Sequence, residues 1–213
     1  MAALDLDRLA ATPLVLDPFV FVIVTGFVRR ESLPALALDF PTIARPGSFP
    51  ADGLAHGPVF RDFLAELAGP AFAQALGAKL GLDLAPYPTM ITLRGRARAE
   101  DGRIHTDTED KVVSALIYLN GPWGADGGRL RLLRSADDLD DMAVEVPPDD
   151  GTLIAFRRSE RSFHGHESYV GPRRVVQLNW VRDAVVARRE LARHRWSARL
   201  KRLGDRLGLG RVS

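Results

Sequence analysis

The strongest constraint on this chain lies between residues 90 and 181, where short alternating or apolar runs follow one another, each cut off by turn residues. Ile91 and Leu93 alternate with Thr92, Arg94 and Arg96. Val112, Val113, Ala115, Leu116, Ile117 and Leu119 make a run apolar on both faces, and residues 129–133 alternate again. Gly121-Pro122-Trp123-Gly124 and Asp126-Gly127-Gly128 punctuate the series, which continues through 144–146, 152–156, 162–164 and 174–181. Side chains of a strand leave opposite faces in turn, so this patterning predicts short strands, and their spacing predicts a sandwich, barrel or jelly roll.

Within that stretch His105 and Asp107 stand two apart, and His164 follows Asp107 by 57 positions. In an extended segment two residues at this spacing point the same way, so one strand supplies two metal ligands and a sheet returning on itself brings the third. Two imidazoles and a carboxylate with open coordination positions suit a divalent metal such as iron. The chain has no cysteine, which excludes disulfides, thiolate zinc sites and iron–sulfur clusters, so any metal is held by His nitrogen and carboxylate oxygen.

The flanks read differently. A short helix is expected over residues 5–11, a buried strand over 19–24 and a helical segment over 29–38. A Pro- and Gly-rich loop spans 41–58 and carries His56, read as a packing or surface residue. Phe60, Phe63, Leu64 and Leu67, then Phe72, Leu76 and Leu80, fall at helical spacing and predict two helices covering one side of the sheet. The acidic loop 137–141 lacks the spacing of a calcium loop and reads as solvated. Residues 182–213 hold ten Lys/Arg against three Asp/Glu, leaving nineteen against twenty-four in 1–181. That tail is expected to form a basic amphipathic helix lying on the acidic body; docking on nucleic acid or an anionic membrane is the rival reading, and no nucleic-acid partner is expected. The expected organisation is one domain over 1–181, with helical support at 29–81 and a catalytic core at 88–181, followed by the tail. An acidic N-terminus and the shortness of the 19–24 apolar run predict a cytoplasmic protein with no membrane span.

The order of features resembles the 2-oxoglutarate- and Fe(II)-dependent oxygenases, particularly their prolyl-4-hydroxylase-like branch. The matching segments are His105-Thr106-Asp107, Ile117-Tyr118-Leu119-Asn120, Trp123 with Gly127-Gly128-Arg129-Leu130-Arg131, residues 150–156, His164-Gly165-His166, Gly171-Pro172-Arg173-Arg174 and Trp180. The resemblance implies a mainly β fold with flanking helices, built on a double-stranded β-helix (jelly-roll, cupin-like) core. It implies Fe(II) held by His105, Asp107 and His164, with 2-oxoglutarate and O₂ as co-substrates, ascorbate as a supporting reductant, and hydroxylation of a small-molecule or peptidyl substrate with release of succinate and CO₂. The far carboxylate of 2-oxoglutarate then needs an arginine, whose planar fork binds carboxylates in bidentate fashion. Arg173 and Arg174 compete for that role. Arg174, which shares a strand face with Val176, Leu178 and Trp180, is preferred because an arginine with a tryptophan six residues on resembles the family pattern; the resemblance adds a hydroxyl from Tyr118. His166 is read as lining the pocket outside the metal's ligand set, and Arg94 and Arg96, expected on one face, as contacts to an anionic substrate. The reading from another class is a non-catalytic, cupin-like metal- or sugar-binding protein.

Overall fold

The computed structural model describes residues 2–189 and 191–192. In chain order its elements are α1 (Leu6–Ala11), β1 (Phe21–Val24), α2 (Leu33–Asp39), β2 (Phe49–Pro50), α3 (Pro58–Ala68), α4 (Pro70–Leu80), β3 (Thr89–Ala97), β4 (Lys111–Tyr118), β5 (Leu130–Leu133), β6 (Met142–Val146), β7 (Leu153–Arg157), β8 (His164–Gly165) and β9 (Gly171–Val181). The strands form two antiparallel sheets. The larger has six strands in the order β1-β7-β4-β9-β3-β2; the smaller has three, β6-β5-β8. This is the mainly β, jelly-roll arrangement with helices added that the strand series predicts.

The helices begin and end where local chemistry requires. Pro58 and Pro70 sit in the first turns of α3 and α4, where a missing N–H costs nothing. Gly81 closes α4 in the left-handed conformation, φ 68°, which a side chain would resist. Phe60, Phe63, Leu64 and Leu67 of α3 and Phe72, Leu76 and Leu80 of α4 are buried, as their periodicity predicts.

Those side chains cover the outer face of the large sheet. Val113, Ala115 and Ile117 of β4, Leu153 and Ala155 of β7, and Val176, Leu178 and Trp180 of β9 belong to the same apolar cluster as the helices. Trp180 lies 5.8 Å from Phe72, ring centre to ring centre. The alternate residues of the same strands face the small sheet, where Tyr118, Ile154, Phe156 and Val175 pack with Leu130, Leu132 and Val146. The large sheet is therefore buried on both faces, helices on one and the small sheet on the other.

Beyond Arg182 the chain turns helical at 184–189; Val186 and Ala187 pack on Val181, and Arg189 pairs with Asp110 at 2.9 Å. The remainder of the expected basic helix lies outside the described residues. No helix among them is long and apolar enough to cross a membrane.

Because Phe72 of α4 is fully buried against Phe27 and Trp180, Phe72→Ala is expected to destabilise the fold by about 3 to 5 kcal/mol. Urea unfolding followed by tryptophan fluorescence measures it.

Candidate active site

His105 and His164 are brought together by an isolated antiparallel bridge that extends the small sheet. The His105 amide donates to the His164 carbonyl and the His164 amide to the His105 carbonyl, both at 3.0 Å. Their rings stand 4.3 Å apart. The expected two-ligand strand does not form. Only His105 is paired; Asp107 sits in the loop that follows, where the chain turns toward β4 and carries the carboxylate inward while His105 stays exposed. With His164 they offer ligand atoms all within 4.8 Å of one another.

Each ligand is held by a neighbour. Nδ1 of His105 lies 2.8 Å from the Arg103 carbonyl and Nδ1 of His164 lies 3.0 Å from the Ser162 carbonyl. If these nitrogens carry the protons, both Nε2 atoms are free to bind a metal, the usual way an outer partner sets a ligating imidazole. Asp107 is buried, yet Lys111 bonds one of its oxygens at 2.5 Å and the Ser114 hydroxyl donates to the other. Burial alone would raise its pKa; the charge of Lys111, the field of His164 and the two hydrogen bonds outweigh it, leaving the carboxyl at about 2. Burial holds His164 at about 4, with Asp107 opposing and His105 adding to the fall. The donor set is thus an ionised carboxylate and, at neutral pH, an uncharged buried imidazole beside a second ring. That chemistry fits Fe(II) with three protein ligands and open positions.

The triad opens on a cavity of about 200 Å³ between the sheets. Its wall is the inward face of β3, β4 and β9: Met90, Thr92, Arg94, Leu116, Arg173, Val175, Gln177 and Asn179. Ser114 Oγ also lies 2.9 Å from the side-chain amide of Asn179, a contact that ties β4 to β9. Tyr118 is fully buried, its hydroxyl 3.4 Å from an Arg173 nitrogen, and the guanidinium lies over its ring at 5.3 Å. Arg173 Nε also donates to the Gly128 carbonyl at 2.8 Å.

The order of the two arginines is the reverse of the sequence expectation. Arg173 is buried and faces the cavity, whereas Arg174 lies outside, its guanidinium over the Phe40 ring at 5.5 Å and its amide donating to Asn120 Oδ1. The face shared by Arg174, Val176, Leu178 and Trp180 is the one the helices cover; Trp180 marks the helical core and not the site. The β3 pair is also separated. Arg94 lines the cavity, while Arg96, past an irregularity in the β3–β9 register, is not among its lining residues. His166 is buried in the cavity wall, its pKa lowered to about 4 by burial and then by Arg173 and Arg94. Gly102 lies so near that a Cβ there would sit 2.4 Å from the His166 ring. His56 stays away from the triad, packed near Phe60 at 5.7 Å between ring centres.

Sequence reasoning passed over Lys111, Ser114, Thr92, Gln177 and Asn179. Their signal was present: each is a polar residue in or beside an otherwise apolar strand, and four of the five fall on the inward alternation of β3, β4 or β9.

Residues 96–182 of this chain match the family model described as the 2OG-Fe(II) oxygenase superfamily, over the segment that holds the triad and the cavity-lining strands β4 and β9. The protein is therefore an oxygenase whose cofactors are Fe(II) and 2-oxoglutarate. A search of curated proteins gave no significant match. Among solved structures, a Pseudomonas putida prolyl-4-hydroxylase shares 21% identity at TM-score 0.55, covering 83% of this chain and 97% of its own. A 2OG-Fe(II) oxygenase-family oxidoreductase from Burkholderia pseudomallei shares 16% at TM-score 0.56, covering 84% and 92%. A Phytophthora capsici prolyl 4-hydroxylase shares 19% at TM-score 0.53, covering 86% and 67%. At these identities the likeness speaks for the fold.

The unfolded state takes up protons on histidine near pH 6.5, while His164 in the metal-free fold resists protonation until about 4. Stability is therefore complete above 6.5 and falls as pH drops from 6.5 toward 4, by on the order of 3 kcal/mol for this one group. Urea midpoints across that range, compared with His164→Gln, measure it; the variant should show a flatter profile.

Proposed function

We propose that the protein hydroxylates a C–H bond of its substrate, consuming O₂ and 2-oxoglutarate and releasing succinate and CO₂. The observation that carries this reading is a buried cation, Arg173, lining the same cavity as a His, Asp, His triad, with the Tyr118 hydroxyl 3.4 Å from it. When bound, iron and 2-oxoglutarate supply the oxidant: one oxygen atom of O₂ enters the substrate and the other enters succinate, with CO₂ leaving the keto acid.

This chain's residues then have separate tasks. His105, Asp107 and His164 would hold the iron. Lys111 and Ser114 keep Asp107 anionic, and the carbonyls of Arg103 and Ser162 orient the two rings. Arg173 would take the far carboxylate of 2-oxoglutarate. Its Nε is fixed on the Gly128 carbonyl, which leaves the other end of the fork for an anion beside the Tyr118 hydroxyl. Burial raises the Tyr118 pKa, although the Arg173 charge opposes this, so the phenol keeps its proton and can donate to that carboxylate. His166 contributes an uncharged wall. The substrate is a small molecule or a peptidyl side chain.

Two sets of measurements test this. His105→Ala or Asp107→Ala should abolish stoichiometric Fe(II) or Mn(II) binding in calorimetry. Arg173→Ala should raise the 2-oxoglutarate concentration needed for succinate formation at least tenfold, while Arg174→Ala stays within twofold of the parent. Succinate formation unaffected by Arg173→Ala, or the absence of 2-oxoglutarate binding by the Mn(II)-loaded protein, would overturn the reading.

A further inference from the structure

Two arginines line the cavity, and 2-oxoglutarate accounts for one. Among the described lining residues Arg94, Lys111 and Arg173 oppose a single carboxylate, Asp107, and Lys111 is already bonded to it. Iron(II) and doubly negative 2-oxoglutarate cancel, so loading the site leaves the positive surplus in place. A buried positive surplus is costly unless an anion meets it.

The two guanidiniums, close enough to feel each other's charge, are braced on different partners. The sheet order runs β4-β9-β3-β2, and Arg173 on β9 leans toward β4, to Tyr118 and the Gly128 carbonyl. Arg94 on β3 leans toward the edge strand β2, where its Nε donates to the Ser48 hydroxyl at 2.8 Å. Its side chain is half-buried and burial lowers its pKa, as expected of a cation not fully compensated. Asp101, the acid whose field acts on Arg94, is itself bonded to Arg98 through both the backbone and the guanidinium. The Ser48 contact uses Nε, so the two terminal nitrogens of the fork are left to pair with a planar anion.

We propose that Arg94, braced by Ser48, binds a carboxylate of the prime substrate, which makes that substrate an organic acid or an acidic peptide rather than a neutral molecule. This rests on the reading above, in which Arg173 and Tyr118 hold 2-oxoglutarate. The cavity is small for a ligand pocket, which suits a carboxylate on a compact group.

The test uses the full chain loaded with Mn(II) and 2-oxoglutarate, which does not turn over, and calorimetric titration with matched pairs of probes. One arm takes small N-acetyl amino acids and their amides; the other takes hexapeptides containing glutamate and the same peptides containing glutamine. The expected result is at least a tenfold preference for the carboxylate in one arm, and that arm identifies the source. Arg94→Gln should remove the preference and Arg94→Lys should keep part of it, each with 2-oxoglutarate affinity within twofold of the parent. Ser48→Ala, a milder change should Arg94→Gln not fold, should weaken the preference several-fold. The proposal is overturned if no carboxylate in either arm outbinds its amide, if Arg94→Gln or Ser48→Ala leaves the preference intact, or if Arg94→Gln weakens 2-oxoglutarate as Arg173→Gln does. Failure of 2-oxoglutarate to bind the Mn(II)-loaded parent would instead refute the underlying reading, and is seen in the first titration.

Discussion

Burying Asp107 as an anion is the constraint on which the rest of the site depends. A lone carboxylate in a mostly apolar interior would take up a proton, and a protonated carboxyl is a poor metal ligand. Lys111 and Ser114 prevent this from the first turn and the inward face of β4. Ser114 passes the tie on to Asn179, and Arg158 Nε donates to the Asp107 backbone carbonyl at 3.2 Å. A loop residue outside any strand is thereby held by β4, β9 and the segment after β7. The two histidines need less, because the bridge between them fixes both backbones and a carbonyl orients each ring.

That arrangement requires the large sheet to do two jobs at once. One face must be apolar to hold the helices, and the other must carry hydroxyls, amides and guanidiniums to line a reactive cavity. Strand alternation permits both without compromise, since neighbouring residues never share a face. In β9 the outer set is Val176, Leu178 and Trp180, and the inner set is Arg173, Val175, Gln177 and Asn179. Leu116, Tyr118 and Val175 keep the inner face dry enough for the charges within it to act strongly.

Much of this was legible beforehand. The grouping of the triad, the strand series and the two helices of 59–80 follow from spacing and from the family resemblance. The errors share a cause. When a sheet is covered on both sides, an alternating pattern states which residues lie together but not which side holds the site, and an aromatic such as Trp180 serves either face equally well. That ambiguity is why the sequence favours Arg174, whereas in the fold Arg173 lines the cavity. Alternation likewise groups Arg94 with Arg96 but says nothing of how far along the strand the cavity reaches, and of the two only Arg94 lines it. Lys111 and Ser114 were passed over because their value lies wholly in what they touch.

The sequence by itself determined the chemistry of the donors. With no cysteine, and with His105, Asp107 and His164 in a run of short strands, only nitrogen and carboxylate oxygen were available to a metal, whatever the folded shape. Tertiary structure decided direction: which arginine meets the cavity, which carboxylate stays ionised and which histidine stays neutral. Residue types set what a group can do, but pKa values and facing depend on contacts made across the sheets, between residues such as Ser114 and Asn179 that lie 65 positions apart.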